Sequence, residues 1–366
     1  MKVAIMHEWF VNYAGSEKVV ESLNNIYTNA DIFSIVDFLD KEDRQIILKG
    51  KKVNTTSIQN YPFAKRSFRN YLSFFPQAIE QLDFTKYDLI LSSSHAFAKG
   101  IITNADQLHI CYCHTPMRYA WDLYHQYLHN VSFLKKHIIK KVLHKIRMWD
   151  FINSSRVDYF IANSSHVAKR INKIYRRDAE VIHPPVDVDR FPCKTKKENY
   201  YLAASRFVPY KKMDVIIEAF NQMPDKKLVV IGDGQDYKKA KSIAKKNIEL
   251  LGYVKHQDLY KYMKNAKAFV FAAEEDFGIV VVEAQACGTP VIAFGIGGVC
   301  DSVVDKKTGL LFYEQTSDSI IEAILSFEKI EDKFHPEKIS KHAQKFSRTN
   351  FERKIKRFID QKIKEF

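Results

Sequence analysis

The chain has 366 residues, 46% hydrophobic and 27% charged, an ordinary globular balance that excludes a disordered or fibrous protein and leaves room for about two domains. A formal net charge of +14 favours anionic partners (nucleotides, nucleic acid or acidic lipid headgroups) without choosing among them. Five cysteines, Cys111, Cys113, Cys193, Cys287 and Cys300, form no CxxC pair, so neither a disulfide scaffold nor a zinc knuckle is indicated.

The opening MKVAIMHEWF holds a short strand, Val3–Met6, and Glu8 interrupts it too early for a signal peptide. No uncharged apolar stretch of about 18 residues follows, so a cytoplasmic address is expected. Asn12–Lys18 joins this strand to a helix and sets Gly15 at a turn open to phosphate. From Tyr61 to Tyr71, aromatics alternate with Lys65, Arg66 and Arg69. The runs Asp88–Leu91, His109–Cys113 and Tyr159–Ala162 are continuously apolar, the pattern of parallel strands buried on both faces. His114 stands at the end of the second of these. Cys111 and Cys113 share one strand face and read as small buried hydrophobes, so no metal is expected.

Between Leu123 and Trp149 there is no acidic residue, while Lys135, Lys136, Lys140, Lys141, Lys145 and Arg147 accumulate. Leu134, Ile138, Val142, Ile146 and Trp149 fall on one helical face. Such a basic amphipathic helix either lies on anionic lipid or packs its stripe into its own domain. Pro184-Pro185, Pro192 and Lys194–Asn199 then read as a linker, with Asp187-Val188-Asp189 as turn chemistry.

In the second half, the runs Tyr200–Ala204, Leu228–Ile231, Glu249–Leu251, Ala268–Ala272 and Val291–Phe294 alternate with helical stretches Met213–Met223, Tyr237–Lys246 and Gln257–Asn265. This βαβ repetition predicts an α/β fold of two Rossmann-like, doubly wound domains facing a central cleft, with ligands at the carboxyl ends of the strands. The expected division is 1–192, 193–346 and a terminal helix, 347–366. That helix carries Phe351, Ile355, Phe358, Ile359, Ile363 and Phe366 on an apolar face that needs a surface to cover, the N-terminal domain being one candidate.

Four strand-end patterns in the second half can do chemistry. Ser205–Lys212 places Arg206 and Lys212 in one loop, and an arginine fork with a lysine point charge suits a diphosphate. Gly232-Asp233-Gly234 permits close approach to the backbone. Glu275 to Glu283 runs from a strand end into a helix, whose first amides can meet phosphate while the carboxylates accept from sugar hydroxyls. Gly295-Ile296-Gly297-Gly298 supplies a second loop of amides. The chain has no GxGxxG and no GxxxxGK[ST], which removes nicotinamide and ATPase readings. Asp276-Phe277-Gly278 has no accompanying kinase motifs.

Taken in order, VIHPPVDVDRF, SRFVPYKKMDVIIEAF, VIGDG, LGYV and EEDFGIVVVEAQACGTPVIA closely resemble the retaining glycosyltransferases of family 4, which have the GT-B fold. The resemblance covers nearly the whole chain and is strongest over residues 181–312. CHTPMRYAWD and DLILSSSHAFAKG are similar to the bacterial branch that transfers mannose in O-antigen and exopolysaccharide assembly. Gly298-Val299-Cys300-Asp301 departs from relatives that carry Pro or Ala and then Glu after a Gly-Gly loop.

The resemblance implies transfer of a sugar, mannose from GDP-mannose first, to a hydroxyl of a glycan or lipid-linked saccharide. It implies no metal or other cofactor. Arg206 and Lys212 would neutralise the donor diphosphate, Glu275 would contact donor-sugar hydroxyls and Glu283 the ribose. The amides of Phe277, Gly278 and Ile279 would lie near sugar and phosphate, with Gly232 also on the donor side. Gly15 would admit the diphosphate, His114 would contact the sugar near the reacting carbon, and Tyr253 and Val254 would line the base pocket. A UDP-sugar-dependent transferase of glucose, galactose or N-acetylglucosamine is the alternative, and a non-catalytic nucleotide-sugar-binding protein is the alternative of another class. Peripheral contact with the inner face of the cytoplasmic membrane is expected, and no nucleic-acid partner, since no recognition module is present.

Overall fold

Short apolar runs can be buried on both faces only if helices cover both, and the computed structural model places them so in two parallel sheets. It describes residues 1–129 and 131–366; the side chains of His129, Leu134, His256 and Gln257 lie outside the described residues. The chain divides into two compact units, Met1–Pro185 with Phe351–Phe366, and Val186–Asn350.

The first unit holds β1 (Val3–His7), β2 (Asp31–Ser34), β3 (Val53–Thr55), β4 (Leu89–Ser94), β5 (Leu108–Cys113), β6 (Tyr159–Ala162) and β7 (Ala179–Val181). They pair in the order β3-β2-β1-β4-β5-β6-β7, all parallel. Winding reverses between β1 and β4. Phe351, Ile355 and Ile359 of the helix Arg348–Glu365 are buried with Val3, Ile5 and Ile110 in one core. The terminal stripe therefore finds its surface in this unit, while Phe366 stays exposed.

The second unit holds β8 (Tyr201–Ala204), β9 (Leu228–Ile231), β10 (Ile248–Gly252), β11 (Ala268–Phe271), β12 (Val291–Phe294) and β13 (Gly309–Phe312). Their order is β10-β9-β8-β11-β12-β13, the Rossmann winding, with the reversal between β8 and β11.

Two expectations change. The lysine-rich stretch after Pro192 is docked rather than a free linker. Val186, Val188 and Phe191 are buried in the second unit's core, and Lys197 Nζ donates to the carbonyls of Lys264 and Cys287 and to Thr289 Oγ1 at 3.0, 3.0 and 2.8 Å. Burial lowers the Lys197 pKa to about 8. Asp187 accepts from Arg348 Nε at 2.8 Å, so it serves as a local tie.

The basic helix, Phe133–Asn153, is rotated relative to the predicted stripe. Leu143 and Ile146 are buried, with Ile139, Val142 and Trp149 packed beside them, whereas Ile138 is 65% exposed. Fully buried Asp150 turns inward on the same side, accepting from Trp121 Nε1 at 2.7 Å, Tyr175 Oη at 2.9 Å and the Lys99 ammonium. A charge that must be paired inside the unit outranks one apolar side chain in setting the helix face. Among the described residues, no helix is long and apolar enough to cross a membrane.

Candidate functional sites at the two winding reversals

In a doubly wound sheet the loops leaving the two strands at the reversal diverge to opposite faces, which opens a crevice at their carboxyl ends. In the second unit those are the loops after β8 and β11. The loop after β8 makes a 3-10 turn, Pro209–Lys211, before the helix Met213–Asn221. Arg206 is exposed and donates from Nη2 to Tyr210 Oη at 3.1 Å. The Lys211 ammonium lies 5.2 Å from the Tyr210 ring centroid and forms an ion pair with Glu275, which enters from the loop after β11.

The ammonium brought to Glu275 is thus Lys211, one residue before the lysine singled out in the sequence. Lys212 takes a left-handed backbone, φ 55°, where the 3-10 turn hands over to the helix. Lys211 and Tyr210 were passed over because a KK pair gives no sign of which side chain the turn projects. The αL position at the hand-over supplies that sign only in three dimensions.

Glycines hold these loops together by close approach. A Cβ on Gly232, at φ 139°, would sit 1.8 Å from the Ser205 carbonyl oxygen, and Phe207 N donates to Asp233 O at 2.9 Å. Gly232-Asp233-Gly234 therefore braces the Arg206 loop. Gly298 N donates to Glu275 O at 2.7 Å, so the loop after β12 braces the Glu275 loop. Gly278, at φ 83°, is the N-cap of the helix Ile279–Ala286. Glu275 precedes that helix by a loop, so it and Glu283 are not separated by two helical turns as the spacing suggested. Glu283 is 3% exposed. Phe277 and Gly278 are buried and Ile279 partly so. After β10, Tyr253 is 77% exposed and Val254 packs partly into the core.

In the first unit the reversal lies between β1 and β4, and it gathers a polar cluster that sequence inspection met only through His114 and Gly15. Glu8 is fully buried. It accepts from Ser94 Oγ and from the amides of His95, Ala96, Phe97 and Ala98 at 2.7–3.0 Å. Burial raises its pKa, but His95 and those amides overcome this and hold the carboxyl below its ordinary value. Gly15 opens the helix Gly15–Ile26, where Glu17 takes the Ala14 amide at 3.1 Å. His7 Nε2 lies 3.4 Å from Glu17 Oε1. His7 Nδ1 lies 3.2 Å from Ser93 Oγ, which lies 2.8 Å from His114 Nε2. His7, Glu8, Glu17 and Ser93 each come from a strand end or helix start, and only the sheet order makes them neighbours.

Cys111 and Cys113 are buried in β5, where burial pushes Cys111 up to about 12 and Cys113 well above its ordinary value. Among the described residues no group of three or more His, Cys, Asp or Glu could hold a metal ion.

Known families match both halves of this arrangement. The family described as Glycosyltransferase Family 4 matches residues 36–190, and the one described as Glycosyl transferases group 1 matches residues 187–346. Together the two matches span residues 36–346 and support a glycosyltransferase of the family 4 type. An uncharacterized glycosyltransferase of Methanocaldococcus jannaschii is 32% identical over 173 residues, 46% of this chain and 49% of that protein. A GDP-mannose-dependent monoacylated alpha-(1-6)-phosphatidylinositol monomannoside mannosyltransferase of Corynebacterium glutamicum is 28% identical over 202 residues, 47% of this chain and 53% of that protein. The chain spans about half the length of the curated relatives it matches. Anabaena HepE, solved in complex with UDP, aligns over 99% of this chain and 100% of its own with a TM-score of 0.71 at 17% identity. That likeness is one of fold, GT-B, and the Arg206 and Glu275 loops of this chain fall within residues 187–346, the part matched as Glycosyl transferases group 1.

Proposed function

We propose that this family 4 glycosyltransferase moves a sugar from a nucleotide diphosphate sugar to a hydroxyl acceptor with retained configuration. The observation that carries the reading is the meeting of Lys211, Tyr210 and Arg206 with Glu275 at the β8–β11 reversal. Two cations there face the charge that grows on a diphosphate as its bond to the sugar breaks, which stabilises the transition state more than the ground state. Glu275, partnered by Lys211 in the free protein, would turn to donor-sugar hydroxyls, and Glu283 would serve the ribose. Tyr253 and Val254 would meet the base, the amides of Phe277, Gly278 and Ile279 the sugar and phosphate, and His114 the sugar near the reacting carbon. No carboxylate is assigned as a covalent nucleophile; a departing phosphate oxygen would take the acceptor's proton. No metal takes part in this scheme.

GDP-mannose is the first donor to test, on the strength of the Corynebacterium relative's name. A UDP-sugar is the second, since the Anabaena neighbour was solved with UDP. Thermal-shift measurements with GDP, UDP, ADP and their sugars identify the base, because selective binding raises apparent stability. Transfer by Arg206→Ala and Lys211→Ala should then fall about 10²–10³-fold, and the Lys212→Ala variant tells which of the two lysines faces the diphosphate. Undiminished transfer by the first two variants would remove the mechanism. Binding without transfer or donor hydrolysis would favour the non-catalytic reading.

The acceptor is a glycan or lipid-linked saccharide of surface polysaccharide assembly, reached from the membrane face. Phe133, Ile138, Met148, Phe151 and Ile152 are exposed on the basic helix together with Lys135, Lys140, Lys141 and Lys145. Each cation near an anionic surface contributes about 1 kcal/mol. Salt-sensitive sedimentation with anionic liposomes is the expected result, and no sedimentation at low salt would reject it.

A further inference from the structure

The cluster at the β1–β4 reversal forms a single chain of hydrogen-bonding groups that ends on His114. Its first three members are fully or almost fully buried: Glu17, His7 and Ser93. Burial raises the Glu17 pKa, yet the His7 contact and the Ser16 hydroxyl hold it below the ordinary carboxylate value. At neutral pH Glu17 is then an acceptor only, so His7 Nε2, 3.4 Å away, carries a proton.

Two proton arrangements remain. With His7 neutral, its Nδ1 accepts from the Ser93 hydroxyl at 3.2 Å, and Ser93 Oγ accepts from His114 Nε2–H at 2.8 Å, which leaves His114 Nδ1 bare. With His7 charged, its Nδ1–H donates to the Ser93 carbonyl at 3.3 Å. The Ser93 hydroxyl then turns to donate to His114 Nε2, and His114 carries its proton on Nδ1. His114 itself stays neutral, because burial and the neighbouring His95 and His7 push it well below its ordinary value. Tautomer is its remaining freedom.

We propose that Glu17, His7 and Ser93 are positioning residues that set the tautomer of His114, offering a bare Nδ1 to a donor-sugar hydroxyl when His7 is neutral and withdrawing it when His7 is charged. The inference rests on the reading of His114 as a donor-sugar contact. The groups that face His7 are Glu17 from the following helix and His95 and His114 from the ends of β4 and β5; Glu8 acts on His95. Asp43 acts on Glu17, and Arg69 on His95. Burial lowers the His95 pKa, and Glu8 opposes that shift.

The test is an NMR titration of the full chain with isotope-labelled histidine and no ligand, reading both ring nitrogens of His7 and His114. His114 should hold its proton on Nε2 while His7 is neutral and move it to Nδ1 in step with protonation of His7. Glu17→Gln keeps an acceptor for the Ala14 amide but removes the anion, so the step should move to lower pH. Ser93→Ala should uncouple the two rings. A His114 tautomer indifferent to His7 in the unmodified chain, a step unmoved by Glu17→Gln, or coupling that survives Ser93→Ala overturns the relay; the first two need no buried-serine variant to fold. In a transfer assay kcat/KM should drop about tenfold, the worth of one hydrogen bond, across the same step. If His114→Ala transfers normally while the NMR coupling holds, the donor-sugar reading of His114 fails and the relay stands.

Discussion

Gly298→Ala separates bracing of the site from stability of the fold. A Cβ at Gly298 would lie 2.1 Å from the Asp276 carbonyl oxygen and 2.5 Å from the Phe277 Cα, against about 3.5 Å for a relaxed contact. Both neighbours are backbone, so the Glu275–Phe277 loop must yield by roughly an ångström. Overpacking of this kind costs about 1–3 kcal/mol, less than the roughly 5–15 kcal/mol of a stable domain, and the unit should still fold. Misplacing a positioning group by about 1 Å costs up to about 10²-fold in rate. Gly309→Ala is the matched control. Its Cβ would lie 2.1 Å from the Val291 carbonyl oxygen, but at the amino ends of β12 and β13, the edge opposite Glu275. Thermal unfolding should report comparable losses for both variants, while kcat/KM measured well below either midpoint should fall only for Gly298→Ala. Equal kcat/KM in the two variants would refute the claim that the β12 loop sets the position of Glu275.

Ile359→Ala should destabilise the first unit by about 2–5 kcal/mol, since Ile359 is fully buried there; hydrogen exchange should quicken in β1 and β5 and not in β8 or β11. Stability should fall as pH drops from 7 to 4. His109, whose pKa burial lowers to about 4, stays neutral while its unfolded counterpart binds a proton below about 6.5, so about 3 kcal/mol is lost across that window. Glu8 adds a further loss as pH falls below its unfolded pKa of 4.5 and through its lower folded value; chemical denaturation at successive pH values checks both, and a flat profile from 7 to 4 would contradict the burial of His109. Lys211→Ala should weaken GDP or UDP binding about tenfold or more, whereas Gly15→Ala should change it little; calorimetry on the two variants decides, and the reverse ranking would place the diphosphate in the first unit.

The inner strands were legible because each is a continuous apolar run bounded by polar residues. β3 and β7, three residues each, have burial patterns with a single buried or no buried position, and β2 and β13, though as long as β8 and β12, open on Asp31 and Gly309, which cut the apolar run to three residues or fewer. The lysine-rich stretch misled because polarity was read as exposure, yet Lys197 donates to the carbonyls at two helix ends. The loops carrying Arg206, Glu275 and His114 were found because strand ends are visible in sequence. Their partners were not. Ser93 and His7 are 86 positions apart, and Lys211 meets Glu275 only because β8 and β11 are neighbours across the reversal, a fact of strand order that no local pattern encodes.

The same winding in both units also accounts for why the diphosphate is assigned to the second. A winding reversal presents amide groups and helix starts that favour an anion. In the first unit two such places are already filled from within: Glu8 occupies the amides of residues 95–98, and Glu17 caps the helix that Gly15 opens. A diphosphate arriving there would meet two carboxylates in a buried setting, where like charges repel strongly. In the second unit the reversal instead presents Arg206 in solvent and Lys211 in a pair with partly accessible Glu275. An exchange of partners there would leave no charge buried alone, because a donor phosphate would take over the ammonium as sugar hydroxyls took over the carboxylate. Under the proposed function, the internal anions of the first unit would therefore reserve its edge for neutral groups, such as the donor-sugar hydroxyls proposed to meet His114.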